Sequence, residues 1–203
     1  IVDDGSTDAG PSLARRTASE ARIVHQDNAG VSAARNKGIE EASCETIAFL
    51  DADDDWLPEH LARLDRLQRE YPAASVFATG YAFRSIDGTQ YQAQVNLPRL
   101  PYRGVLQNYY SIATKSDPPL CSSSTAVKKD ALQQIGGFPE TLDVGEDLLT
   151  WAKLASRYDI AYDSRPSAIY NRAALAFNRP PRPPQEPDQV SLELRRLRYH
   201  VEP

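Results

Sequence analysis

Two periods of hydrophobic spacing organise the first seventy residues. Ile1-Val2 is an apolar stub running into Asp3-Asp4-Gly5-Ser6-Thr7-Asp8, a dense turn signal. Residues 13–21 read as a short helix with Pro11 near its start, where the missing amide proton costs little. Residues 22–25 read as a short strand and Asn28-Ala29-Gly30 as a turn. Residues 31–42 then suit a helix with Val31, Ala34, Gly38 and Ala42 spaced along one face. Thr46-Ile47-Ala48-Phe49-Leu50 is a run rich in strand formers, the pattern of a strand buried on both faces. The acidic loop Asp51-Ala52-Asp53-Asp54-Asp55 follows it. A helix then opens at Pro58, places Leu61, Leu64 and Leu67 on one face, and stops at Pro72. This alternation predicts an α/β fold whose mostly parallel sheet is flanked by helices.

Beyond residue 72 the pattern loosens. Residues 75–83 are strand-like, and Asp87-Gly88 suits a tight hairpin before residues 91–95. Residues 96–120 are loop-rich, with a helix expected near 106–110. A strand at 123–127 leads to a helix over 129–135, stopped by Gly136-Gly137. A helix over 148–156 and strands at 160–162 and 167–170 complete a catalytic region of residues 1–172. Five of the fifteen prolines fall between Pro180 and Pro187, so residues 173–189 read as an extended linker. Residues 190–203 read as a short basic helix or tail.

Composition narrows the class. The chain is 41% hydrophobic and 25% charged, enough to bury a real core, which excludes collagen, coiled coil and wholesale disorder. No window supplies a bilayer-spanning apolar run. Two cysteines, Cys44 and Cys121, cannot make a disulfide framework. A net charge of −5 offers no general attraction to nucleic acid. The chain holds no methionine.

Chemistry concentrates at strand ends. Open α/β sheets bind ligands beyond the carboxyl ends of their strands, where the acidic loop falls. Its crowded carboxylates repel one another unless a cation is near, and hard oxygen ligands suit Mg²⁺ or Mn²⁺ shared with a phosphate. The same loop would also serve as a helix-capping turn. Asp3-Asp4-Gly5-Ser6 is a second acidic turn, able to accept hydrogen bonds from a base or ribose, or to cap a helix. Asn28 to Asn36 places small residues at a helix start and Arg35 one turn in, which favours anionic groups. Glu146-Asp147 precede a helix; by position alone they cap it, although a carboxylate near a pocket can act as a general base. His25, His60 and His200 lack metal-ligand spacing and read as structural. Trp56, Tyr109 and Tyr110 suit either a core or an acceptor-stacking surface.

Taken in order, these blocks resemble the family 2 glycosyltransferases with the GT-A fold. The matching residues are Val2-Asp3-Asp4-Gly5-Ser6-Thr7-Asp8, Asn28 through Ile39, Ile47 through Asp54 with Trp56, Gly136-Gly137-Phe138, and Gly145-Glu146-Asp147 with Trp151. The resemblance implies transfer of a sugar, with inversion, from a nucleotide-diphospho-sugar to a glycan, lipid-linked or protein acceptor. By motif, Asp3, Asp4 and Ser6 lie at the nucleotide base, with Arg35 and Asn36 near the diphosphate. Asp51 lies toward the ribose and Asp53 toward a Mg²⁺ or Mn²⁺ ion. Asp147 aligns with the catalytic base, with Glu146 orienting it. Family members open with a strand ending in a Pro-Thr-Tyr-Asn-like turn. Ile1-Val2 is therefore expected to be the end of a second strand, with a strand–helix unit upstream. The Gln-x-x-Arg-Trp element of processive synthases is absent, since Leu148-Leu149-Thr150-Trp151 follows the acids, which implies a single sugar added. The setting implied is bacterial cell-envelope polysaccharide synthesis, cytoplasmic or at the inner face of the membrane. The rivals are a sugar nucleotidyltransferase and a nucleotide-sugar-binding module that has lost catalysis.

Overall fold

A computed structural model describes residues 1–142 and 144–172. The linker and C-terminal helix expected at 173–203 lie outside those residues. In chain order the elements are β1 (Val2–Asp4), α1 (Gly10–Thr17), β2 (Val24–Gln26), α2 (Val31–Glu41), β3 (Thr46–Ala48), β4 (Asp55–Trp56) and α3 (His60–Glu70). They continue with β5 (Val76–Arg84), β6 (Gln90–Gln92), β7 (Arg103–Val105), α4 (Tyr109–Lys115), a 3-10 turn (Ser122–Ser124), β8 (Thr125–Lys128), α5 (Lys129–Gln134), α6 (Glu146–Ala155) and β9 (Ile160–Asn171).

The α/β class holds, but the sheet is mixed rather than mostly parallel. The main sheet runs β3-β8-β5-β9-β4, with β6 on β5 and β7 on β9; β1 and β2 form a separate parallel pair. Among the described residues of the main sheet only β5 and β9 pair in parallel. The long β5–β9 ladder shifts register at Gly80, where an added Cβ would lie 2.3 Å from the Ser164 carbonyl oxygen. Only glycine allows that approach. The bulge carries β9 straight through Asp163-Ser164-Arg165-Pro166, so the two strands expected at 160–162 and 167–170 are one.

β3 is not buried on both faces. Its three residues are half-buried, it pairs antiparallel with β8 along one edge, and a cleft lined by Ile1, Val2, Val24, Cys44 and Ile47 separates it from β1. The first helix begins and ends earlier than its pattern suggested, and none of its residues is buried.

Two layers cover the main sheet. On one side Phe49, Val76, Val127, Leu132, Phe138, Trp151, Leu154 and Ile160 form the larger core. On the other, Leu64 and Leu67 of α3 meet Phe77, Ala126 and Ala161. The α3 stripe keeps Leu64 and Leu67 but departs from the leucine pattern at its first position: His60 is 1% exposed and Leu61 is 55% exposed. His60 stacks under Trp56 at 4.7 Å and its Nδ1 meets Ser167 Oγ at 2.8 Å, so an aromatic ring with a polar handle takes the place a leucine would fill.

Burial pushes the His60 imidazole down to about 4. The folded protein therefore keeps it neutral while the unfolded chain binds a proton below pH 6.5, and stability falls between pH 6.5 and about 4. Chemical unfolding of wild type and His60→Asn across that range is expected to show a flatter pH dependence in the variant, by about 3 kcal/mol over the window. The packing loss from the substitution is independent of pH and leaves that slope readable.

Candidate active site

The acidic loop, α2 and α6 meet at one cation. Arg35, one turn into α2, has a side chain only 10% exposed. Its Nη2 donates to both oxygens of Asp51 at 2.8 Å, its Nη1 donates to Glu146 Oε1 at 3.0 Å, and its guanidinium lies 5.1 Å from the centre of the Phe138 ring. Burial disfavours the charged guanidinium, but Asp51, Glu146 and Asp147 outweigh it and hold the pKa above its ordinary value. Gly145, with φ 79°, turns the chain into α6, so Glu146 and Asp147 are the first residues of that helix. The helix is seated by Trp151, which is fully buried and meets Phe49 and Phe138 edge-on at 6.2 and 5.6 Å.

Asp147 differs from its neighbour. No side-chain hydrogen bond caps α6. The Asp147 carboxylate accepts the Leu148 N–H at 2.7 Å, while the ion pair to Arg35 goes to Glu146. Burial, reinforced by the Glu146 charge, raises the Asp147 carboxyl to about 6. A carboxylate of that strength can take a proton from a hydroxyl near neutral pH.

The other sequence-derived residues take different places. Asp4 closes the turn before α2: its carboxylate accepts Gln26 Nε2 at 2.7 Å and the N–H groups of Ala29 and Gly30 at 2.9 Å. Asp3 accepts the Ser6 N–H at 3.0 Å and meets His25 Nδ1 at 2.7 Å, and these bonds hold its carboxyl below the usual range. Ser6 itself is exposed. Asn36 is turned toward the Gly137-Phe138 bend, donating to Phe138 O at 2.9 Å and accepting the Phe138 N–H at 2.8 Å. An added Cβ on Gly137 would lie 2.5 Å from that amide oxygen. Asp53 is exposed on the acidic loop. Tyr109 is core, and Trp56 lies against His60 with its indole on Ser123 O at 2.7 Å.

Two residues under the loop belong to none of the sequence blocks. Ser123 and Asn171 both hydrogen-bond Asp54, which is 9% exposed and whose carboxyl is raised to about 6, chiefly by burial. Ser123, expected as the first residue of a strand at 123–127, lies instead in the 3-10 turn that precedes β8, and Asn171 ends β9. Neither carries a signal visible in the sequence.

Among the described residues no group of three or more His, Cys, Asp or Glu side chains is arranged to hold a metal ion. One exposed carboxylate, Asp53, fits a Mg²⁺ or Mn²⁺ ion that takes its remaining ligands from water and a diphosphate.

A mixed sheet flanked by helices thus carries an acidic loop at a strand end, tied through Arg35 to the start of α6. The chain belongs to glycosyl transferase family 2, whose family model matches residues 1–136. That match ends before Glu146 and Asp147. TuaG of Bacillus subtilis (strain 168), provisionally named a teichuronic acid biosynthesis glycosyltransferase, is 34% identical over 113 residues, 53% of this chain and 44% of TuaG. Glycosyltransferase GlyA of Streptococcus pneumoniae serotype 4 is 35% identical over 95 residues, 45% of this chain and 14% of GlyA. The chain spans less than half the length of the curated relatives it matches. The crystal structure of S. aureus TarS 1-349 in complex with UDP-GlcNAc superposes with a TM-score of 0.64 at 19% identity, over 94% of this chain and 50% of that one. The likeness establishes the GT-A fold.

Replacing Arg35 with Ala would strand Glu146 and Asp51 without their cation. Urea unfolding at pH 7 is expected to show a loss of about 3 kcal/mol, reduced toward 2 by the partial exposure of Asp51.

Proposed function

We propose that this chain is the donor-binding and catalytic part of a glycosyltransferase that moves one sugar, with inversion, from a nucleotide-diphospho-sugar to an acceptor hydroxyl. The observation that carries the reading is the half-buried Asp147 carboxylate at the start of α6, next to the link from Glu146 through Arg35 to Asp51, its carboxyl raised to about 6 by desolvation. On this reading Asp147 removes the acceptor proton as the hydroxyl attacks. Glu146, fixed by Arg35, keeps the N-terminus of α6 in register with the acidic loop. Asp51 holds the ribose end of the donor and Asp53 the divalent ion, Mg²⁺ or Mn²⁺. Bound there, the ion would neutralise charge developing on the diphosphate leaving group.

The base and ribose lie along the end of β1. Asp4, fixed by two backbone amides, keeps the turn at the start of α2 rigid, and Asp3 and Ser6 complete that rim. Because TarS is described with UDP-GlcNAc, a uridine diphosphate sugar is the first donor to test. The acceptor is a glycan, a lipid-linked glycan or a protein. Transfer is non-processive, as the Leu148-Leu149-Thr150-Trp151 segment supports by lacking the synthase element. TuaG's name supports a cell-envelope polysaccharide role. The place of action is the cytoplasm, at or near the inner face of the membrane; among the described residues no helix is long and apolar enough to cross one.

Transfer assays on the full-length protein with Mn²⁺ test this reading. Asp53→Asn and Asp147→Asn are each expected to lower kcat by about a hundredfold or more. Full activity in either variant removes that residue from its role. Nucleoside diphosphate is the expected product, and pyrophosphate in its place would mark a nucleotidyltransferase. The base works deprotonated, so wild-type kcat/KM is expected to level off above pH 7 and to fall as pH drops through about 6. A profile flat from pH 8 to 5 would exclude Asp147 as the base.

A further inference from the structure

Ser123 is 1% exposed and lies directly beneath the acidic loop. Its Oγ accepts the Asp51 N–H at 3.0 Å and donates to Asp54 Oδ2 at 2.6 Å, so one hydroxyl bonds the loop through both its acceptor and its donor. The second Asp54 oxygen accepts the Asn171 N–H at 2.9 Å. Asn171 Nδ2 also donates to the Asp53 carbonyl, and the Asp54 N–H closes a turn onto Asp51 O at 3.0 Å. Residues 51, 53 and 54 are thus tied to the entry of β8 and the end of β9, while Asp53 stays exposed. A loop with four carboxylates in five positions repels itself, and nothing in its own sequence fixes its shape.

We propose that Ser123, acting through Asp54, is the positioning residue that holds the Asp51–Asp53 segment in its nucleotide- and metal-binding arrangement. The proposal rests on the glycosyltransferase reading and adds that the donor site is shaped from beneath, by a residue outside the family's motif blocks. Removing the hydroxyl leaves the Asp51 amide and a buried carboxylate oxygen without partners. Asp54→Asn keeps both bridges but reverses one: its Oδ1 accepts the Asn171 N–H, and its Nδ2 donates to the second lone pair of Ser123 Oγ, which releases the Ser123 hydroxyl proton from that bond.

The experiment is calorimetric titration of uridine and guanosine diphosphates, with and without Mn²⁺, into wild type, Ser123→Ala, Asp54→Ala and Asp54→Asn. Amide hydrogen exchange over residues 51–55 is measured beside it on the unliganded proteins. The affinity gained from Mn²⁺ is expected to drop about tenfold in Ser123→Ala and Asp54→Ala, and to stay within about threefold of wild type in Asp54→Asn. Exchange across residues 51–55 is expected to rise about tenfold in the first two variants while β5 and α6 are unchanged. An Asp54→Asn loss equal to that of Asp54→Ala overturns the proposal, because charge or direct ligation would then be the role of Asp54. Unchanged loop exchange in Ser123→Ala overturns it too, as does acceleration spread evenly over the protein. If wild type shows no Mn²⁺-dependent nucleotide affinity while loop exchange still follows Ser123, the donor reading fails and the brace on the loop stands.

Discussion

A guanidinium that is nine-tenths buried needs its counter-charges close, and Arg35 sets that condition for the whole site. Its partners, Asp51 and Glu146, lie 16 and 111 residues away in sequence. Satisfying both forces the end of β3, the first turns of α2 and the start of α6 to one point. The ion pairs do not themselves supply the stability for this. Buried pairs come close to breaking even against desolvation, whereas each fully buried Trp, Phe or Leu contributes about 1.5–3 kcal/mol. Phe49, Phe138 and Trp151, mutually edge-on at 5.3 to 6.2 Å, hold the end of β3 and α6 together from below, and Asn36 ties α2 to the Phe138 bend. Apolar packing brings the pieces together and the buried charge selects their register.

That division explains why two adjacent acids behave differently. Glu146 faces the cation, so its charge is matched. Asp147 is one residue further round the helix, half-buried, and carries the repulsion of Glu146 with no ion pair of its own among the described residues. Arg35 and the Leu148 amide pull its carboxyl down, and burial wins. Environment alone therefore gives two adjacent carboxylates different partners, an ion pair for Glu146 and a raised carboxyl for Asp147.

The elements legible in the sequence are those set by local spacing. The stops at Pro72 and at Gly136-Gly137, the Asp87-Gly88 hairpin and the extent of α2 all hold, because turn chemistry and helical period act over a few residues. What was hidden depends on distant neighbours. His60 displaces Leu61 from the α3 stripe because Trp56 and Ser167 offer its ring both a face and a partner. β9 runs through a polar stretch because Gly80 lets the neighbouring backbone close in, with Asp163 paired to Arg165. The run at 46–50 reads as doubly buried, yet the three residues of β3 are only half-buried. The site's motif residues could be read, but not their partners: Ser123, at the head of an expected strand, and Asn171, just past another, are ordinary polar residues until the loop above them is in place.

Helix α2 links the two ends of the site. At its start, the free amides of Ala29 and Gly30 bond Asp4, where a carboxylate also gains from the helix dipole. One turn in, Arg35 faces Asp51 and Glu146, and Asn36 grips the Phe138 backbone on which that cation rests. Eleven residues at 1.5 Å each make a rod of about 16 Å, too short to bend appreciably. A shift of the turn at Asp4 must therefore move Arg35, and with it the two carboxylates it joins. On the proposed reading the nucleotide end and the catalytic end are coupled by rigidity, and the Asp4 turn is as much a determinant of base placement as α6 itself.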